Sequence, residues 1–122
     1  MGLSSASTSS WKRAAARRRY RRDRQNEENI AEIVDYIIRI GTENTSSGNW
    51  HIEYEELSDA FDFATQDFLR RNHETICYEL DGREEILSET WTDYDGEGQP
   101  DGFDCNFALA YCPNADEMGV FT

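Results

Sequence analysis

The residues of this chain best suited to specific chemistry stand in one short run, WKRAAARRRYRRDRQ, residues 11–25. It holds Lys12, Arg13, Arg17, Arg18, Arg19, Arg21, Arg22 and Arg24, eight of the twelve basic residues in the chain. A guanidinium is a planar fork that grips phosphate or a base edge through two hydrogen bonds. Lys12 is the only lysine, so the run is built for directed contacts more than for bare charge. Tyr20 within the run and Trp11 at its start add faces on which bases can stack. Residues 1–24 carry +7 and residues 25–122 carry −20, within a total of −13. Such asymmetry reads as a basic arm on an acidic body. The arm attracts nucleic acid, whereas the body repels it and attracts basic protein surfaces.

The carboxylates are the second chemical resource. Glu28, Glu32 and Asp35 recur on one predicted helix, Glu55, Glu56, Asp59 and Asp67 on the next, and Glu79, Glu84, Glu85 and Glu89 beyond it. Carboxylates held on rigid elements imitate a row of phosphates and fit a cationic groove that normally holds nucleic acid. Glu28, Glu32, Asp35, Glu79, Glu84, Glu85 and Glu89 are therefore the expected contacts to a basic protein partner.

Metal and catalytic patterns are thinner. Asp93, Asp95, Glu97, Asp101 and Asp104 fall at positions 1, 3, 5, 9 and 12 of a calcium loop, with Gly98 at position 6, and so resemble an EF-hand loop. Pro100 stands at position 8 and Asp104 replaces the longer glutamate at position 12. The segment before the loop reads as a strand, so the loop is expected to be a solvated turn with no metal. Cys77, Cys105 and Cys112, with His51 and His73, match no familiar zinc spacing. Neither histidine has a nucleophile at a recognisable spacing, and there is no Gly-rich phosphate loop. No enzyme activity and no cofactor are expected. The odd cysteine count without a CxxC pair fits reduced thiols inside a cell.

The elements that must position these residues can be read from spacing. Residues 1–10 are small and polar, and Ser9 or Ser10 is a candidate helix cap. Ile30, Ile33, Val34, Ile37 and Ile38 form an apolar stripe at helical spacing, predicting a helix over residues 27–40 that extends back through the arginines when bound. Gly41 is the expected stop. Residues 50–54 suit a short strand or the lead-in to a helix. Leu57, Ala60, Phe61, Ala64 and Phe68 predict a second amphipathic helix over residues 55–72. ETICYEL and REEILSETW around Asp81-Gly82 predict a β-hairpin. Phe103, Cys105, Phe107, Leu109 and Tyr111 alternate with smaller or polar residues and predict a strand. The fold class is α+β: a basic arm over residues 1–25, then an acidic domain over residues 26–122 with two amphipathic helices followed by a small antiparallel sheet.

Two family resemblances attach to these patterns. RRRYRRDRQ is similar to the arginine-rich motifs of viral and phage RNA-binding proteins, which read RNA shape through phosphates and groove edges. The whole architecture resembles small phage anti-CRISPR proteins with a basic N-terminal arm. That resemblance implies an inhibitor of a CRISPR effector, most naturally a Cas9-type nuclease, acting in the cytoplasm of the host cell of a phage or mobile element. The acidic body would occupy a basic channel of the effector while the arm meets guide RNA or DNA. The alternatives are an RNA- or DNA-binding regulator that works through the arm alone, and an assembly protein that packages nucleic acid. The start MGLSSA resembles a myristoylation site but has Ala6 where that pattern has Ser or Thr, and no membrane partner is expected.

Overall fold

A computed structural model describes residues 2–115, with side chains from Lys12 onward. Helix α1 (Gly2–Asn44), strand β1 (Asn49–Glu53), helices α2 (Tyr54–Ala60) and α3 (Gln66–Asp81), strands β2 (Trp91–Tyr94) and β3 (Pro100–Asn106) and a 3-10 turn (Leu109–Tyr111) follow in order. The fold is α+β, with helices packed on one face of an antiparallel sheet of order β1-β3-β2.

Helix α1 is one continuous element of 43 residues, about 64 Å long at 1.5 Å per residue. Ser9 and Ser10 lie inside it and do not cap it. Their side chains, with those of the other residues up to Trp11, lie outside the described residues. The stripe Ile30, Ile33, Val34, Ile37 and Ile38 is buried as its spacing requires. Gly41 does not end the helix. A Cβ there would lie 2.3 Å from Cε2 of Phe107, so glycine is what admits the ring against the helix backbone. The helix ends three residues later, where Thr45 Oγ1 accepts from Gly48 N at 2.9 Å. Gly48 has φ +92, a conformation that glycine takes without a Cβ penalty.

The expected second helix is two. Phe61 leaves α2 in an extended conformation. Thr65 then starts α3, its hydroxyl accepting from Phe68 N at 3.1 Å, a standard N-cap bond. Ser58 Oγ donates to Ala64 O at 2.5 Å and holds the break closed. The apolar side chains between the helices still reach the core by aromatic packing. Tyr36 meets Phe61 edge-on at 5.4 Å, and Phe63 meets Phe68 at 5.6 Å.

The predicted hairpin around Asp81-Gly82 is absent. Residues 74–80 are the last turns of α3, which buries Leu69, His73, Ile76 and Leu80 along one side. Asp81 and Gly82 end this helix, and Asp81 Oδ1 accepts from Thr90 N at 2.8 Å. Only an isolated bridge, Ile86 with Phe107, forms before β2 begins at Trp91. The real hairpin is β2–β3. Its turn is organised by Asp95, whose Oδ1 accepts from Glu97 N at 2.8 Å and Gln99 N at 2.9 Å. The last strand starts and stops earlier than its alternation predicted. Phe103, Cys105 and Phe107 are buried, but Leu109 and Tyr111 fall in the 3-10 turn and are partly exposed.

Candidate functional site

The arm is the part of α1 that outruns the body. Its first described link to another element is Asn26 Nδ2 donating to Asn72 Oδ1 on α3 at 3.2 Å. Before that point Lys12, the seven arginines and Tyr20 are all exposed. At 100° per residue, Arg13, Arg17, Arg21 and Arg24 form one row along the helix. The same row continues as Glu28, Glu32 and Asp35, so a single helix face changes sign. Arg24 and Glu28 meet at the junction, 3.6 Å apart and both largely exposed, a pair worth little on its own. Lys12 and Arg19 prolong the direction of the buried isoleucine stripe, and Arg18 and Arg22 stand to the side. Cations therefore surround the arm, with Ala14, Ala15 and Ala16 as the small residues between them.

The acidic body is less uniform than its composition suggests. Glu28, Glu32, Glu79, Glu84 and Glu89 are exposed. Asp35 accepts from Arg83 at 2.6 Å, and Arg83 also reaches Glu85 at 3.4 Å. Glu85 is half-buried, so it offers less of its carboxylate to a partner than the exposed residues do. Between α1 and α3 lies a groove of about 380 Å³, lined by Ile30, Ala31 and Val34, by Glu27 and Glu79, and by the Asp35–Arg83 pair.

The calcium-loop residues are dispersed. Asp95 caps the β-turn and lies 3.7 Å from Arg70. Backbone amides, Gln99 and Glu97 foremost, hold its carboxyl below the usual carboxylate range. Asp93 and Asp104 do converge, but with His51, which sequence reasoning did not place with them. His51 pairs with Asp104 across β1 and β3, while Asp93 of β2 stands opposite Gly102. Alternation puts all three on the sheet face away from the helices. His51 Nδ1 is 3.1 Å from Asp104 Oδ1, touches Asp93 Oδ2, and its Nε2 is 3.5 Å from Glu53 Oε1. Among the described residues this is the only trio of potential metal ligands whose donor atoms all lie within 4.8 Å. Burial pulls the His51 imidazole down, but Asp93, Glu53 and Asp104 outweigh it and hold it above its ordinary value. Partial burial, then the Asp104 carboxylate beside it, raises Asp93.

His73 is a core residue. Its Nδ1 lies 2.5 Å from Tyr54 Oη and its Nε2 2.8 Å from Thr92 Oγ1, and the ring stacks on Phe103 at 4.4 Å. Two hydroxyls satisfy a neutral imidazole in either tautomer, since each can donate or accept. Burial lowers its pKa from the ordinary 6.5, and Glu74, the charged group acting on it, pulls upward and is outweighed. As pH falls through 6.5 the unfolded chain takes up a proton that the folded ring resists. The contribution of this ring to stability therefore drops from neutral toward acid pH over that window, opposite in sign to that of His51, whose raised pKa adds stability as pH falls. Urea unfolding of the protein and of His73→Gln between pH 7.5 and 5 checks this, and the variant should lose that slope. The thiols are no better placed for chemistry. Burial pushes Cys77 up to about 11 and Cys105 up to about 12, so both stay protonated.

Among the described residues no helix is long and apolar enough to cross a membrane. No family model, no curated protein and no solved structure matches this chain.

Proposed function

We propose that the protein is a non-enzymatic inhibitor directed at a nucleoprotein: the arm binds nucleic acid and the acidic body binds the basic protein that holds it. The observation that carries this reading is the change of sign along one face of α1, from Arg13, Arg17, Arg21 and Arg24 to Glu28, Glu32 and Asp35. A helix ringed by cations is suited to lying in a groove, where phosphates stand on both sides, more than to resting on a flat surface. From Lys12 to Arg24 the arm covers about 18 Å, the length of about five base pairs. The body, at −20 beyond residue 24, repels any longer stretch of free nucleic acid. It suits instead the cationic walls of a nucleic-acid channel, and the groove beside Glu27 and Glu79 has room for a lysine or arginine side chain. A guided nuclease of the CRISPR type offers both surfaces in one particle, a guide RNA and basic channels. We place the protein's action in the host cytoplasm.

The arm-only regulator is the second reading, favoured by the cations on every side of the arm. Cleavage by a purified Cas9-type effector–guide complex separates the two. Under the inhibitor reading, the protein blocks cleavage, and both neutralisation of the arm and the body reversal Glu28→Lys, Glu32→Lys, Asp35→Lys abolish the block. If the body reversal has no effect while arm neutralisation removes nucleic-acid binding, the arm works alone and the inhibitor reading fails.

A further inference from the structure

The cluster on the open face of the sheet has no part in that reading, and its hydrogen bonding is incomplete. Asp93 Oδ2 is shut off from solvent and accepts no hydrogen bond. With its proton on Nδ1, His51 directs it to Asp104, 3.1 Å away, and that proton is poorly aligned for the second carboxylate. Asp93 Oδ2 is left against the same nitrogen without a donor of its own. The backbone enforces this convergence. Asp93 and His51 lie on the two outer strands, and between them stands Gly102, the partner of Asp93 on one side and of Glu53 on the other. A Cβ at Gly102 would lie 3.2 Å from His51 Cε1 and 2.8 Å from Ile52 O, so a side chain there would push the imidazole away.

We propose that His51, Asp93 and Asp104 bind a divalent transition-metal ion, of the class of Mn²⁺ or Zn²⁺. The ion takes the place of the Nδ1 proton, and one centre of charge then serves Nδ1, Asp93 Oδ2 and Asp104 Oδ1 together. The proton balance closes within the cluster. A neutral ring protonated on Nδ1 shifts its proton to Nε2, toward Glu53 Oε1 at 3.5 Å, and a doubly protonated ring releases one proton. Glu53 is then a positioning residue that fixes the ring tautomer, as outer carboxylates do for metal-bound histidines. An imidazole nitrogen among the ligands selects against Mg²⁺ and Ca²⁺, which prefer all-oxygen shells. Three protein ligands on an exposed sheet face leave the remaining positions to water.

The test is a Mn²⁺ titration of the full chain, read by the paramagnetic resonance of free aqueous ion. Manganese avoids the affinity of zinc for the three cysteines. We expect one ion per chain, with binding weakened more than about 100-fold in Asp93→Asn/Asp104→Asn and in His51→Gln, beyond the 10–100-fold typical of losing an outer partner. Glu97→Gln/Asp101→Asn, which removes loop carboxylates outside the cluster, should bind like the parent. Circular dichroism reports the fold of each variant, and the single His51→Gln change keeps the test decisive should the double variant unfold. Equal binding by the parent and by folded His51→Gln overturns the proposal. So does loss of binding in Glu97→Gln/Asp101→Asn, which would put the ion in the turn.

Discussion

If the arm binds nucleic acid as proposed, alanine at Arg17, Arg18, Arg19, Arg21 and Arg22 together should weaken binding to a short duplex on the order of a thousandfold at ~0.15 M salt. The figure follows from counterion release. Each phosphate neutralised contributes a slope of about −0.9 in log affinity against log salt on duplex DNA, and that gain vanishes near 1 M salt. Removing five guanidinium groups that each neutralise a phosphate flattens the slope by about 4.5, which is between three and four decades at ~0.15 M. Fluorescence anisotropy of a labelled duplex between ~0.05 and ~0.3 M salt gives both affinity and slope. Alanine is the strongest helix former, so the arm should keep its helicity and lose only its charge. A slope that stays the same in the variant would mean that these side chains do not reach phosphates, and nucleic-acid contact would have to be dropped.

The same experiment bears on how the helix is used. An isolated run of cations at helical spacing is self-repelling, and only a few pairs such as Arg24 with Glu28 offset that. The arm is nevertheless the N-terminal part of a helix whose later turns are packed in the core from Ile30 onward. Nucleation, the costly step in helix formation, is thereby supplied by the body, and the arm needs only propagation. A bound duplex would therefore meet a row of guanidinium groups already at fixed spacing. The bonus in affinity is the ordering entropy that a free arginine-rich peptide must lose on binding.

Much of this architecture is legible from spacing where one periodicity dominates. The isoleucine stripe of α1 is unambiguous, and burial follows it residue by residue. The failures occur where two readings compete over a few residues. Ile76, Tyr78 and Leu80 alternate like a strand and precede Asp-Gly, yet Leu69, His73, Ile76 and Leu80 also fit a helix. The helical reading requires a histidine in the core, and the Tyr54 and Thr92 hydroxyls that make it tolerable come from elsewhere in the chain. Phe61 and Ala64 continue the spacing of α2, and only Thr65, a cap that also passes for an ordinary polar residue, marks the break. The His51 cluster is a stronger case. Its members lie on three strands, and their meeting depends on the β1-β3-β2 order and on the register that sets Gly102 between them. Carboxylate spacing within the loop pointed to Asp93 and Asp104 but supplied the wrong companions. A glycine flanked by alternating strand residues was the one local signal of close approach.

Gly41→Ala destabilises the protein by about 2 kcal/mol, although the same change at an exposed helical site would stabilise it by up to ~1 kcal/mol. The methyl group would stand 2.3 and 2.4 Å from two ring atoms of Phe107, well inside contact distance. Neither side can yield cheaply. Phe107 is almost fully buried, and its backbone is pinned by its N–H donating to Gly48 O at 2.6 Å. On the other side, Gly41 O accepts from Thr45 N at 2.9 Å within the last turn of α1. Removing the ring is costly in its own right, with Phe107→Ala expected to lose about 3–5 kcal/mol through the cavity it leaves. The pair separates these effects. In a Phe107→Leu background the ring edge is gone, so adding Gly41→Ala should cost little or restore stability, giving a coupling of about 2 kcal/mol between the two positions. Urea unfolding of the four proteins measures that coupling, read at constant m-value. Stabilisation by Gly41→Ala in the parent would mean that the ring swings away at small cost. The helix would then have no steric need for glycine where it meets Phe107.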